Sequence, residues 1–102
     1  MRVGLFDLEA NGLLDTVTKL HCCVVKDKHT GEVRKFWPWA GGDYVKQMLE
    51  YLESFDVLIA HNALGYDFPL LKQLYNWEYK GKKVDTLIMS RLLNPKRIVP
   101  FN

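Results

Sequence analysis

Three acidic side chains stand out for the chemistry their spacing allows: Asp7, Glu9 and Asp67. Asp7 and Glu9 are two residues apart, so on a strand both point to one face, roughly 6–7 Å from each other along it. The apolar run Val3 to Phe6 precedes them, which puts the pair at the end of a first strand, where open α/β sheets bind ligands. Two carboxylates on one face repel. A divalent cation relieves that repulsion, and hard oxygen donors suit Mg²⁺ or Mn²⁺. Asp-x-Glu is also an ordinary solvated strand end, and spacing by itself leaves both readings open. Asp67 follows a second buried run, beyond His61, Asn62 and Tyr66. With Pro69 two residues later it marks a helix start, where a short oxygen acceptor caps. One oxygen can cap while the other faces a groove, so the two roles coexist. His61 and Asn62 serve equally as cap and turn residues, and Asp85 is read as a cap alone. Cys22 and Cys23, beside His21, are assigned to packing, because neighbours on a strand point to opposite faces and cannot converge on one ion.

These residues need elements to position them. After the first strand, Asn11-Gly12 punctuates, and Lys19 to Lys26 reads as a second strand rich in residues that suit a buried sheet. His29-Thr30-Gly31 is a hairpin turn that returns Glu32 to Trp37 as a third strand. Asp43 caps a helix whose Val45, Met48, Leu49, Leu52 and Phe55 recur at helical spacing. Val57 to Ala60 is a continuous apolar run of the kind found in strands covered on both faces. A second helix carries Leu70, Leu71, Leu74 and Tyr75 and closes at Asn76. Lys80 to Val84 reads as a basic connector into a third helix with Leu87, Ile88 and Leu92, stopped by Asn94-Pro95. The order is β-β-β-α-β-α-α, an antiparallel meander followed by a covered strand and helices. Little is left to cover the second sheet face, so the layered domain reads as unfinished.

The chain of 102 residues is sized for one domain, spanning 1–102. With 48% hydrophobic and 25% charged residues it has a globular composition, which excludes disordered and low-complexity classes. No apolar run reaches the roughly 18–20 residues of a membrane helix, and the first residues do not form a signal peptide. A soluble, cytoplasmic protein without membrane partners is expected, its two cysteines reduced. A net charge of +2 does not announce a nucleic-acid partner; that case rests on local arrangement.

Phe6-Asp7-Leu8-Glu9-Ala10-Asn11, then His61-Asn62 with Tyr66-Asp67, then Val84-Asp85-Thr86-Leu87-Ile88-Met89-Ser90-Arg91-Leu92, occur in order and at plausible spacing. Together they resemble the amino-terminal 3′-5′ proofreading exonuclease domain, of the DEDD superfamily, in phage-type family A DNA polymerases. The resemblance implies an α/β, ribonuclease-H-like mixed sheet, a three-strand meander plus a parallel strand, with helices and incomplete. It implies a DNA 3′ end as substrate, two-metal hydrolysis with Mg²⁺ or Mn²⁺, and a role in replication in a host cytoplasm. Asp7, Glu9 and Asp67 are its implied catalytic and metal-binding residues: Asp7 bridging two ions, Glu9 holding the first, and Asp67 acting on the second through water. Leu8, Ala10, Asn11, His61, Asn62 and Tyr66 are its implied contacts to the terminal nucleotide. The family's fourth acid lies in Tyr-x-x-x-Asp or His-x-x-x-x-Asp, and neither motif occurs in this sequence. The chain therefore reads as cut before its third motif and weak or inactive alone.

Trp37, Trp39 and Trp77 are read as core or rim residues rather than stacking platforms. Lys80, Lys82, Lys83, Arg91, Lys96 and Arg97 gather positive charge that attracts phosphates or forms a solvated face. An uncovered apolar sheet face predicts self-association. The alternative from another class is a non-catalytic binding or assembly module completed by a separate polymerase chain; an experimental truncation is a third.

Overall fold

The structure, a computed structural model, describes residues 1–38 and 42–87. Strand β1 (Val3–Ala10) alternates: Gly4, Phe6 and Leu8 are buried, while Leu5, Asp7 and Glu9 are exposed. That period of two is what one covered face and one open face impose on a strand. β2 (Leu20–Asp27) pairs antiparallel with β1, and β3 (Val33–Phe36) antiparallel with β2. Gly31 makes the turn between them at φ 76°, a left-handed conformation that glycine adopts without a Cβ clash. The Asp27 carboxylate closes the turn by accepting the N–H groups of His29 at 2.9 Å and Thr30 at 3.2 Å.

Helix α1 (Tyr44–Glu53) starts at Asp43, whose Oδ1 accepts the Lys46 N–H at 3.0 Å. β4 (Val57–Ala60) follows and runs parallel to β1, with Val3 opposite Val57. A π-helical turn (Ala63–Asp67) leads into α2 (Phe68–Tyr75). Asn76 ends α2 in the left-handed region at φ 53°.

Two expectations change. Residues 82–85 form a fifth strand, β5 (Lys82–Asp85), parallel to β4, rather than part of a connector. Three of its four residues are Lys or Asp, poor strand formers, so its pattern was silent; the free edge of β4 supplies the pairing. Its exposed lysines suit a strand beside water. Second, Asp67 makes no side-chain capping bond, because it ends the π turn with helical backbone of its own (φ −63°, ψ −51°). The helix expected after Asp85 lies, beyond Leu87, outside the described residues, as does Trp39.

The sheet order is β3-β2-β1-β4-β5, a mixed α/β sheet with two helices. Both helices contribute to one core: Met48 and Leu52 from α1, and Phe68, Leu70 and Leu71 from α2, cluster with Phe6, Leu8, Val25 and Leu58. On the opposite face, Leu5 is 39% exposed, and Val33 on β3 is 58% exposed. Among the described residues neither helix covers this second face.

Tyr79 ties the chain beyond α2 to the end of α1. Its buried hydroxyl donates to the Phe55 carbonyl at 2.6 Å, and its ring stacks on Phe68 at 5.8 Å. Tyr79→Phe should leave that carbonyl without its donor and cost about 1–3 kcal/mol in urea unfolding. A loss near zero would mean that water replaces the hydroxyl.

Candidate active site

β1, β4 and β5 are mutually parallel, so their carboxyl ends meet at one edge of the sheet, and the acids gather at that edge. Asp7 and Glu9 project from β1 on its open face, opposite Val24 and Cys22 of β2. The pairing register shifts between Glu9 and Ala10, a bulge of the sort that re-aims side chains at a strand end. A groove of about 350 Å³ beside Asp7 is lined by Leu5, Phe6, Asp7, Val24 and Lys26.

Asp67 reaches this edge from the turn after β4. Two hydrogen bonds carry the turn and α2 towards the loop after β1: the Tyr66 hydroxyl donates to the Gly12 carbonyl at 2.9 Å, and Gln73 Nε2 to Leu14 O at 2.7 Å. At Gly65 a Cβ would meet the Asn62 side-chain amide, which would have to turn aside. Asp67 is 4% exposed. Burial, then the charges of Asp7, Asp85 and Glu9, push its carboxyl up to about 7. The same environment raises the Tyr66 hydroxyl, through burial first and then Asp67 and Glu9. The buried Cys23 thiol is raised well above its ordinary value by desolvation, then by Asp67. Cys22 and Cys23 are both free, as expected of packing residues.

The implied nucleotide contacts divide. The Leu8 side chain is buried on the inner face with the core, on the side of β1 opposite Asp7 and Glu9. Ala10 is half-buried against the same core. Asn11 is exposed, yet its Oδ1 accepts the N–H groups of Thr18 and Lys19 at 3.0 and 3.1 Å, and its Nδ2 donates to Thr18 Oγ1 at 2.9 Å. Its amide closes the loop after β1. His61 and Asn62 are exposed at the end of β4, with His61 Nδ1 3.1 Å from Thr86 Oγ1. Tyr66 is half-buried and anchored through its hydroxyl.

Asp85 is the residue that sequence reasoning undervalued. It accepts the Leu87 N–H at 2.9 Å, as a cap does, and also those of Asn62 at 2.9 Å and Leu64 at 3.0 Å. Nothing in the local sequence signals the second pair, which exists only because β5 lies beside β4.

The donors are carboxylates only, the type a hard divalent cation takes, one of them buried and opposed by three like charges. The ion pairs found among the described residues, Arg2–Asp27, Lys72–Glu78 and Lys80–Glu78, include none of Asp7, Glu9 and Asp67. Still, among the described residues no group of three His, Cys, Asp or Glu side chains stands close enough to hold one ion. The three acids share a field, not a closed ligand cage. Arg91, Lys96 and Arg97 lie outside the described residues; Lys80, Lys82 and Lys83 are exposed. Among the described residues no helix is long and apolar enough to cross a membrane.

No protein-family model matches the chain. It is 35% identical over 95 residues to the DNA-directed DNA polymerase of Enterobacteria phage T3, and 35% identical over 95 residues to that of Escherichia phage T7. Each match covers 86% of this chain and 14% of the polymerase, so the chain spans about one seventh of these relatives. Among solved structures, a family B DNA polymerase from the hyperthermophilic archaeon Pyrobaculum calidifontis shares the fold, with a TM-score of 0.63 at 16% identity over 84% of this chain and 15% of that one.

Proposed function

We propose that the chain is the amino-terminal part of a 3′-5′ proofreading exonuclease unit of a phage-type DNA polymerase, acting on the 3′-terminal phosphodiester of single-stranded DNA. One observation carries the reading: a buried carboxyl, Asp67, charge-coupled to Asp7 and Glu9 at the carboxyl edge of three parallel strands. The similarity to phage DNA polymerases supports it.

Asp7, Glu9 and Asp67 would hold Mg²⁺ or Mn²⁺. Bound there, such ions supply Lewis-acid stabilisation of the phosphorus centre and a water deprotonated near neutral pH. The chain's own residues do the rest. Strand β1 sets Asp7 and Glu9 side by side on the open face, beside the groove in which a 3′ end would lie. Tyr66 fixes the turn that delivers Asp67. His61 and Asn62, exposed at the end of β4, would meet the sugar or base of the terminal nucleotide. The sequence holds three of the four acids implied by its resemblance, so slow turnover is expected of these 102 residues by themselves.

The test is release of a terminal mononucleotide from a 3′-labelled single strand in Mn²⁺, by the chain alone and with the remaining polymerase region added. Release that starts or accelerates on addition, and that follows the 3′ end, supports the reading. Binding of the polymerase region without hydrolysis under any metal condition would sink it in favour of an assembly module.

A further inference from the structure

Asp85 is 5% exposed and, among the described residues, accepts three backbone N–H groups. Leu87 lies two residues along its own chain, the usual partner of an aspartate that opens a turn or helix. Asn62 and Leu64 belong to a different segment, the loop between β4 and Asp67. Beside them, the His61 and Thr86 side chains are 3.1 Å apart at Nδ1 and Oγ1. All these contacts stand just past the register pair Ala60 and Asp85, where β4 and β5 end together.

A cap needs one amide. A buried carboxylate that collects three, two of them across a strand boundary, holds the second segment in place. That segment needs holding, because Asn62 is in the left-handed region at φ 62°, uncommon for a residue other than glycine. From Asn62 the path to Asp67 is short: the Tyr66 N–H donates to the Asn62 carbonyl at 2.9 Å, and Asp67 is next.

We propose that Asp85 is a positioning residue: by gripping the amides of Asn62 and Leu64 it sets where the Asp67 carboxylate stands relative to Asp7 and Glu9. The role rests on the reading that those three acids hold a divalent cation. Asp85 adds its charge to the field at Asp67. Beyond that charge it acts on the site through backbone geometry, as the outer partners of metal ligands do. Asp85→Glu, which keeps the charge but displaces the carboxylate from the Asn62 and Leu64 amides, should therefore weaken Mn²⁺ binding as well. Unchanged binding in that variant would overturn the positioning role.

Asp85→Asn keeps the shape and removes the charge and one of the two acceptor oxygens. On the 102-residue chain, two quantities are read: amide hydrogen exchange by NMR, and Mn²⁺ binding from the free-ion electron paramagnetic resonance signal. In D85N the Asn62 and Leu64 amides should exchange at least about tenfold faster, with Val25 and Leu58 unchanged. The Mn²⁺ dissociation constant should rise about 10- to 100-fold. Glu78→Gln, which removes an exposed carboxylate paired with Lys72, should leave Mn²⁺ binding as it was. Faster exchange with unchanged Mn²⁺ affinity would reduce Asp85 to a structural clamp and overturn the proposal. Absence of Mn²⁺ binding in the unaltered chain would overturn the three-carboxylate reading itself, and this role with it. If D85N does not fold, the unaltered chain still decides: Asn62 and Leu64 amides as protected as strand amides, and more so with Mn²⁺, support the role, whereas unprotected amides refute it.

Discussion

Asp67→Asn should make the chain more stable above pH 7 by a few kcal/mol, and should flatten the dependence of stability on pH between about 4 and 7. Burial and the charges of Asp7, Asp85 and Glu9 raise the Asp67 carboxyl from 3.8 to about 7, so the folded chain binds this proton more tightly than the unfolded chain does. The stability this group contributes is therefore complete below about pH 4 and is lost as the pH climbs to about 7, at up to about 1.4 kcal/mol per pH unit. Asparagine has nearly the same shape and no charge to desolvate. Asp27 and Glu78 act with the opposite sign, held below their ordinary values chiefly by the Thr30 amide and by Lys72, and their window lies at more acidic pH. Urea unfolding of both chains from pH 4 to 8 reads the difference. If the unaltered chain is no less stable at pH 7.5 than at pH 5 relative to D67N, the carboxyl is not buried among like charges. The same penalty gives a cation something to relieve: Mn²⁺ should stabilise the unaltered chain above pH 7, and D67N much less.

Asp7→Ala should lower 3′-terminal hydrolysis by about three orders of magnitude or more in the chain completed by the remaining polymerase region. It should leave thermal stability within a few degrees of the unaltered protein. The separation of the two effects is the informative part. Asp7 is exposed on the open face of β1 and has no ion-pair partner among the described residues, so its loss removes repulsion rather than packing. Its neighbours Phe6 and Leu8 hold the strand in the core whatever occupies position 7. Asp7→Asn should lose nearly as much rate, because an amide oxygen cannot supply the charge of a carboxylate to a hard cation. A rate within tenfold of the unaltered protein would remove Asp7 from the chemistry and leave the proposed exonuclease without its central ligand.

Much of the molecule follows from local pattern. Alternation from Val3 to Ala10 determines that Asp7 and Glu9 share a face and that the Leu8 side chain takes the other. Gly31 and Asp43 announce their turn and cap because φ > 0 and an orphan helix amide have few chemical solutions. The helical spacing from Val45 to Leu52 marks α1 for the same reason: one face must meet the core.

Tertiary structure alone decided the remainder. β5 is a strand because β4 offers an unpaired edge, not because Lys82 and Lys83 prefer extended backbone. Asp85 reads from its neighbours as a cap, and its grip on Asn62 and Leu64 arises only when two strands 22 residues or more apart in sequence lie side by side. Asp67 looks like another cap until the π turn and the Tyr66 anchor bury it in the field of Asp7. Patterns of period 2 and 3.6 encode which face a residue takes, since that depends on its nearest neighbours along the chain. They do not encode which distant segment lies opposite, and it is distant segments that supply the charge, the burial and the hydrogen bonds from which a site is made.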